Sequence, residues 1–359
     1  MRELFKKLEI NHIYIITIAI TSSLIFGIFS LKYKKVINTK DPGFRDANVV
    51  NDDENNCIGG TDNIQCELKL VKNLNKGEKN ILFFGNSQTG AINQYKSGDI
   101  NYVSLLNNKF SLNNKKISIK SIWLPNANMK EFDFIYNSLR KCTKNIDVIF
   151  IPFFLDDTRN ATIRKELNYF EENICKKELI KKAKETQYTG NISNLNKKIK
   201  NNFSFFEELE GINQNLKIDI YKFRNFIFNI KPSTIRPIKK PSYKANLIAF
   251  RKILKFRNKK YLKTYVYIPP LLNSNGDGEI PYSKYKYENF KKEVENICLI
   301  NNCKYFNLED LIPNKFWGLK QSTSLGVNKK ELDFMHFTGT GHKILSEKFN
   351  QIIRNQIEI

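Results

Sequence analysis

Two short stretches of this chain hold the residue types that acyl transfer through a nucleophile requires. The first, ILFFGNSQTG (81–90), runs an apolar segment into Gly85-Asn86-Ser87-Gln88. The second, DFMHFTGTGHKILSEKF (333–349), places Asp333 three residues before His336. A serine hydroxyl is a weak nucleophile until a neighbouring base takes its proton. Histidine serves as that base, and a carboxylate on its other ring nitrogen fixes the tautomer and stabilises the imidazolium. Histidine is scarce here: His12, His336 and His342 only. His12 abuts the apolar run at 13–31, so the base is His336 or His342, and only His336 follows an acid at this spacing. His342 reads as a structural residue at the start of the last helix. A Ser after a Gly turn is usually just a helix cap, and a lone Asp-x-x-His is more often accidental than catalytic. The signal is their occurrence together.

The elements that must position these residues can be read from the hydrophobic pattern. Short apolar runs at Ile81–Phe84, Ile117–Leu124, Ile146–Phe150, Tyr265–Ile268 and Tyr305–Leu308 predict five strands. Helical patterns at 129–141, 285–300 and 341–357 fill gaps between them. Strands alternating with helices imply an α/β fold: a parallel sheet of about five strands with helices on both faces. In such a sheet, ligands bind beyond the carboxyl ends of the strands. Ser87 on the turn after the first strand, and Asp333 and His336 on a loop before the last helix, would meet at that edge. The stretch from about 158 to 260 breaks the rhythm and reads as a basic, mostly helical insertion. Its Phe203, Phe205, Phe206, Phe223, Phe226 and Phe228 are expected to pack on the core, with a membrane-surface role as the alternative.

The pair of motifs resembles the first and last conserved blocks of the SGNH/GDSL hydrolase superfamily. The match covers roughly 78–157 and 262–357. The resemblance implies a flavodoxin-like three-layer fold, with Ser87 as nucleophile, His336 as base and Asp333 as orienting acid. One N-terminal apolar segment, the large insertion and Tyr267-Ile268-Pro269-Pro270 look more like envelope-associated members, the D-alanyl transfer and alginate O-acetylation proteins. Such proteins often work with a polytopic membrane-bound O-acyltransferase, so that partner is implied, as is an anionic or neutral envelope polysaccharide substrate. The chain departs from the family at several points. Asn86 replaces the aspartate before the serine, the second block reads Pro125-Asn126-Ala127-Asn128, and the third reads Phe153-Phe154-Leu155-Asp156-Asp157. The Ser87 backbone N–H and either Asn126 or Asn128 are therefore the expected oxyanion donors. Asp156, Asp157 and Arg159 are expected at the same edge, orienting substrate or shaping the loop. A catalytically silent scaffold that binds polysaccharide or the membrane partner is the alternative.

Composition bounds the rest. The chain has 359 residues, 59 Lys+Arg against 36 Asp+Glu, and 41% hydrophobic residues, so it is not a mainly disordered chain. A mean hydropathy of −0.45 excludes a polytopic membrane protein but permits one span. Ile13–Leu31 is uncharged and, at about 1.5 Å per residue, long enough to cross a hydrocarbon core of roughly 30 Å. It reads as an uncleaved signal anchor, with residues 1–12 cytoplasmic, 32–77 a polar stalk and 78–357 the catalytic domain. The six cysteines, Cys57, Cys66, Cys142, Cys175, Cys298 and Cys303, all come after this span. An even number of cysteines without C-x-x-C spacing favours disulfides over zinc, and disulfides persist outside the cytoplasm. The large domain is therefore expected to be extracytoplasmic. Local pairing of Cys57 with Cys66 and of Cys298 with Cys303 would leave Cys142 with Cys175. Between 176 and 260 there are 22 Lys+Arg and 6 Asp+Glu, so 22 − 6 = +16 of the net +23 lies in one segment. That charge suggests an anionic neighbour; nucleic acid is the weakest candidate for an exported, membrane-anchored chain. No metal site and no nucleotide-binding loop are visible, so no cofactor is expected.

Overall fold

A computed structural model describes residues 47–49, 56–58, 65–74, 79–113, 117–143, 146–176, 219–231, 234–255, 262–272, 281–322, 324–325 and 330–356. The chain divides into two compact units. The smaller comprises residues 1–44 and 190–221, of which 219–221 are described. The larger comprises residues 45–189 and 222–359 and contains every strand among the described residues, and the candidate site. The apolar run Ile13–Leu31 lies outside the described residues, and among the described helices none is long and apolar enough to cross a membrane.

Six parallel strands form the main sheet: β2 (Asn56–Ile58), β3 (Lys79–Gly85), β5 (Ile117–Trp123), β6 (Val148–Pro152), β7 (Lys263–Ile268) and β8 (Lys304–Asn307). Their order across the sheet is β2-β5-β3-β6-β7-β8. Alternate side chains of each central strand enter opposite layers, as the two-residue period of a strand requires. Leu82, Phe84, Ile149, Ile151, Val266 and Ile268 join one core, and Ile81, Phe83, Val148, Phe150, Tyr265 and Tyr267 join the other. The first core is closed by α1 (Gln65–Leu74), α4 (Met129–Cys142), α6 (Lys240–Lys255) and α7 (Lys284–Ile300). The second is closed by α3 (Tyr102–Asn113) and α8 (Gly339–Gln356). This is a three-layer α/β/α sandwich. Phe83 and Phe150 stack with centroids 4.4 Å apart, and Phe349 of α8 meets both edge-on at 5.1 and 5.4 Å. Each such ring contributes about 1.5–3 kcal/mol on leaving water.

Two antiparallel pairs lie outside the main sheet. β1 (Ala47–Val49) pairs with β4 (Ala91–Asn93), and β9 (Trp317–Gln321) with β10 (Lys330–Phe337). The five expected strands are all present. Several expectations are corrected. The stretch read as a polar stalk supplies edge strand β2 and helix α1, whose Leu68, Val71 and Leu74 are buried. Its many Asn and Asp residues conceal that helical spacing. Asp333 and His336 sit on strand β10, not on a loop. Within the supposed insertion, α6 is the crossover helix between β6 and β7, with Leu247, Phe250 and Leu254 in the core. Phe223, Phe226 and Phe228 are exposed instead of packed on the core; Phe203, Phe205 and Phe206 lie outside the described residues.

The six cysteines pair as Cys57–Cys66, Cys142–Cys175 and Cys298–Cys303, with Cα separations of 5.6, 5.0 and 4.9 Å. Those separations fall within the range a disulfide spans.

Candidate active site

Strand β3 is the topological switch point of the sheet. Chain connections run from β3 to β5 on one side, then cross to β6, β7 and β8 on the other. In open sheets of this kind ligands bind beyond the carboxyl ends of the strands at such a point, and Ser87 lies immediately after β3. Asn86 leaves the strand in an extended conformation, and its Oδ1 accepts the Gln88 N–H at 3.0 Å, starting the single helical turn α2 (Ser87–Gly90). Glycine is required at both ends of this turn. A Cβ on Gly85 would lie 2.3 Å from Thr89 Oγ1, and one on Gly90 would lie 1.8 Å from the Trp123 ring.

The turn is tied down at every polar side chain but one. Asn86 Nδ2 donates to Asp157 Oδ2 at 3.1 Å, and Gln88 Nε2 donates to the Pro270 carbonyl at 2.8 Å. The Thr89 hydroxyl meets Tyr102 Oη at 3.1 Å, which in turn meets Tyr267 Oη at 3.2 Å. Burial pushes Tyr102 up to about 12, so this chain of hydroxyls stays neutral. Of the turn's polar side chains, Ser87 Oγ alone is enclosed without a hydrogen-bond partner in the described structure. An unpaired buried hydroxyl costs about 1–3 kcal/mol. The fold holds this one on a rigid platform.

The expected base, His336, stands on the facing hairpin. Leu332 pairs with Leu319 and Phe337 with Trp317, so five steps along β10 oppose two along β9. The extra residues make a bulge, which re-aims side chains, and Asp333 and His336 both lie within it. Asp333 Oδ1 accepts the Met335 N–H at 2.9 Å and holds the bulge; its Oδ2 lies 2.8 Å from His336 Nδ1. A carboxylate only accepts, so Nδ1 carries the proton in this contact. Asp333 is wholly buried and His336 nearly so. The α2 turn packs against β10. The structure thus brings Asp333 and His336 into contact and sets Ser87 on the neighbouring element, without a hydrogen bond between Ser87 and His336.

Asn93 braces this arrangement, and nothing in the sequence pointed to it. It is buried on β4, three residues after α2 ends. Its Oδ1 accepts the Leu319 N–H at 3.1 Å; its Nδ2 donates to the Leu319 carbonyl at 2.9 Å and reaches Asp333 Oδ2 at 3.4 Å. Gly318 makes room, since a Cβ there would fall 2.0 Å from Asn93 Cγ. One side chain therefore links the nucleophile's segment to the acid and to the hairpin.

The other expected site residues divide. Asn126 sits exposed on the turn after β5 with φ 52°. Asn128 is buried as the N-cap of α4: its Oδ1 accepts from Lys130 and Glu131 N–H at 3.0 and 3.2 Å, and its Nδ2 donates to the Thr162 carbonyl at 2.9 Å. Asp156, Asp157 and Arg159 form a 3-10 turn after β6. Asp156 bridges Arg159 at 3.3 Å and Arg236 at 2.5 Å. Arg236, hidden in the supposed insertion, also lies over the Phe334 ring at 4.9 Å, within the bulge. Burial pushes the Asp157 carboxyl well above the usual range, and the charges of Asp156 and Glu131 add to this against the Asn86 bond. His342 accepts the Tyr102 N–H on Nδ1 and donates Nε2–H to the Ala91 carbonyl, each at 3.3 Å. Burial holds it down at about 3, so it is a neutral scaffold residue. Trp123 and Trp317 are buried and pack rather than face solvent. Among the described residues no group of His, Cys, Asp and Glu is arranged to hold a metal ion.

No protein-family model matches the chain, and no curated protein matches it. Solved structures give distant likenesses. A proposed arylesterase from Agrobacterium tumefaciens is 9% identical, over 77% of this chain and 99% of its own, with a TM-score of 0.40. A variant of a Geobacillus acetyl-xylooligosaccharide esterase is 10% identical, over 77% and 95%, with a TM-score of 0.38. The lipase/acylhydrolase from Enterococcus faecalis is 10% identical, over 78% and 97%, with a TM-score of 0.37. At this distance they transfer neither fold nor activity to this chain.

Proposed function

We propose that this chain is a serine esterase or O-acyltransferase that works through an acyl-enzyme on Ser87. The observation that carries the reading is the bulge in β10. It presents a buried Asp333–His336 pair to the turn whose one untied polar side chain is Ser87. His336 Nε2 takes the Ser87 proton as Oγ attacks an ester or thioester carbonyl. Asp333 stabilises the imidazolium, which returns the proton to the departing alcohol or thiol. The acyl group then passes to a sugar hydroxyl, or to water. Contacts between catalytic groups often tighten only when substrate is bound, so the open Ser87–His336 contact fits a site awaiting its acyl donor.

The first N–H of a helical turn has no intrahelical acceptor, and the Ser87 N–H is the oxyanion donor in this reading. Asn128 is committed to capping α4, which leaves Asn126 as the candidate second donor. Losing one such donor typically costs about 2.7–4 kcal/mol of transition-state stabilisation. The finer reading rests on the sequence resemblance: a single-pass, membrane-anchored enzyme with its large domain outside the cytoplasm. It adds or removes acyl groups, acetyl foremost, on envelope polysaccharide beside a membrane-bound O-acyltransferase. Three disulfides accord with an oxidising compartment. A catalytically silent scaffold is the second reading, favoured by the commitment of Asn128. Incubation with p-nitrophenyl acetate and then peptide mass spectrometry separates the two. Acetylated Ser87 in a His336→Ala-sensitive reaction is expected; a folded protein that never acquires the adduct supports the scaffold.

A further inference from the structure

Residues 222–231, KFRNFIFNIK, carry no acidic residue and three cations. Residues 219–227 are helical, yet Asn225 is the only one of 222–229 that is buried. Phe223, Phe226, Ile227 and Phe228 are exposed by 60, 66, 56 and 68%. A contiguous apolar patch of this kind on a protein surface marks a docking face. Lys222, Arg224 and Lys231 interleave with the rings, and the Arg224 guanidinium bonds Asn225 Oδ1 at 2.7 Å beside them.

We propose that residues 222–231 dock on an anionic phospholipid bilayer, with the aromatic side chains at the headgroup–acyl boundary and the cations among headgroup phosphates. Charge complementarity chooses this occupant. Aromatic residues interleaved with Lys and Arg, with Asp219 the nearest acidic residue in sequence, are the pattern of an interfacial segment. The surrounding stretch carries +16 of the chain's +23, the sign that anionic leaflets attract. Long cationic side chains reach outward to phosphate while their stems lie along the apolar layer. Docking also bears on the candidate site. Arg236, which grips Asp156 at the site's rim, comes 236 − 228 = 8 residues after Phe228. Eight residues span at most about 29 Å, so a docked patch keeps the Asp156 turn close to the membrane surface.

The two native tryptophans, Trp123 and Trp317, are buried, so an added surface tryptophan reads its own surroundings. The full chain carrying Phe228→Trp would be mixed with vesicles of brominated phosphatidylglycerol and phosphatidylcholine. Tyr285→Trp, at a site 74% exposed on α7, is the control. Phe228→Trp is expected to lose about half or more of its added emission to bromolipid, as a ring at the acyl boundary would. The control should lose none, and quenching at 228 should weaken in purely zwitterionic vesicles or in high salt. Equal quenching at both positions, or none at 228, would overturn the proposal. Blue-shifted but unquenched emission at 228 would show a protein cover, and would overturn it too. Ile227→Trp repeats the test should Phe228→Trp not fold.

Discussion

Asn93, buried on β4, ties Asp333 to the segment that follows the Ser87 turn. Asn93→Ala is expected to leave the fold intact and slow acyl-enzyme formation by about 10- to 100-fold, as small misplacements of catalytic groups do. Circular dichroism alongside burst kinetics checks it; an unchanged burst would show that Asn93 positions nothing in the reaction. Asp157 bears on stability through pH. Its folded carboxyl binds its proton more tightly than the unfolded one, so stability is fully present below the unfolded pKa of about 3.9. It falls as pH rises through the folded value. Asp157→Asn keeps an acceptor for Asn86 and removes the titration. Thermal midpoints from pH 4 to 9 should fall less steeply in the variant than in the wild type; parallel slopes would contradict the upward shift of the buried carboxyl. Ser87, His336 and Asp333 were legible because the chain offers so few histidines. Asn93 was not, since a buried amide in a three-residue strand has no signature until its partners, hundreds of residues away in sequence, are in place.

At the scale of elements, the bulge in β10 and the glycine opposite it form one device. Gly318→Ala would press a methyl group into Asn93, costing about 1–3 kcal/mol as overpacking does. Acyl-enzyme formation should fall further than that stability loss alone explains. A variant that is destabilised but reacts at the wild-type rate would separate the hairpin from the site. Strands β3, β5, β6 and β7 were readable as apolar runs because strands buried on both faces read that way; β8 is a half-exposed edge strand, read from Tyr305 and Phe306. The β9–β10 hairpin was not: Asp333 and His336 interrupt its alternation, and Gly318, Lys320 and Glu331 dilute its apolar character. Chemistry and regular pattern compete for the same positions there. α6 was hidden for a different reason. Its exposed face belongs to the most basic stretch of the chain, so charge masked the buried stripe of Leu247, Phe250, Ile253 and Leu254.

Across the larger unit, two cores and three disulfides support the sheet whose central strand β3 leads into Ser87. The Cys142–Cys175 bridge ties the end of α4 to the segment after α5 (Glu166–Asn173), closing a loop of 33 residues. Replacing both cysteines with serine should cost roughly 3–4 kcal/mol, read as a shift in urea midpoint. An unchanged midpoint would mean that the bridge carries no stability. Its span also encloses the Asp156–Arg159 turn, so substrate affinity should weaken along with stability. The central claim, that this fold activates one serine, is tested most directly by fluorophosphonate labelling of the purified full chain. The wild type is predicted to label at Ser87, while Ser87→Ala and His336→Ala, both folded by circular dichroism, do not. A folded wild type that resists the reagent, or a Ser87→Ala variant that labels equally well, would contradict that claim.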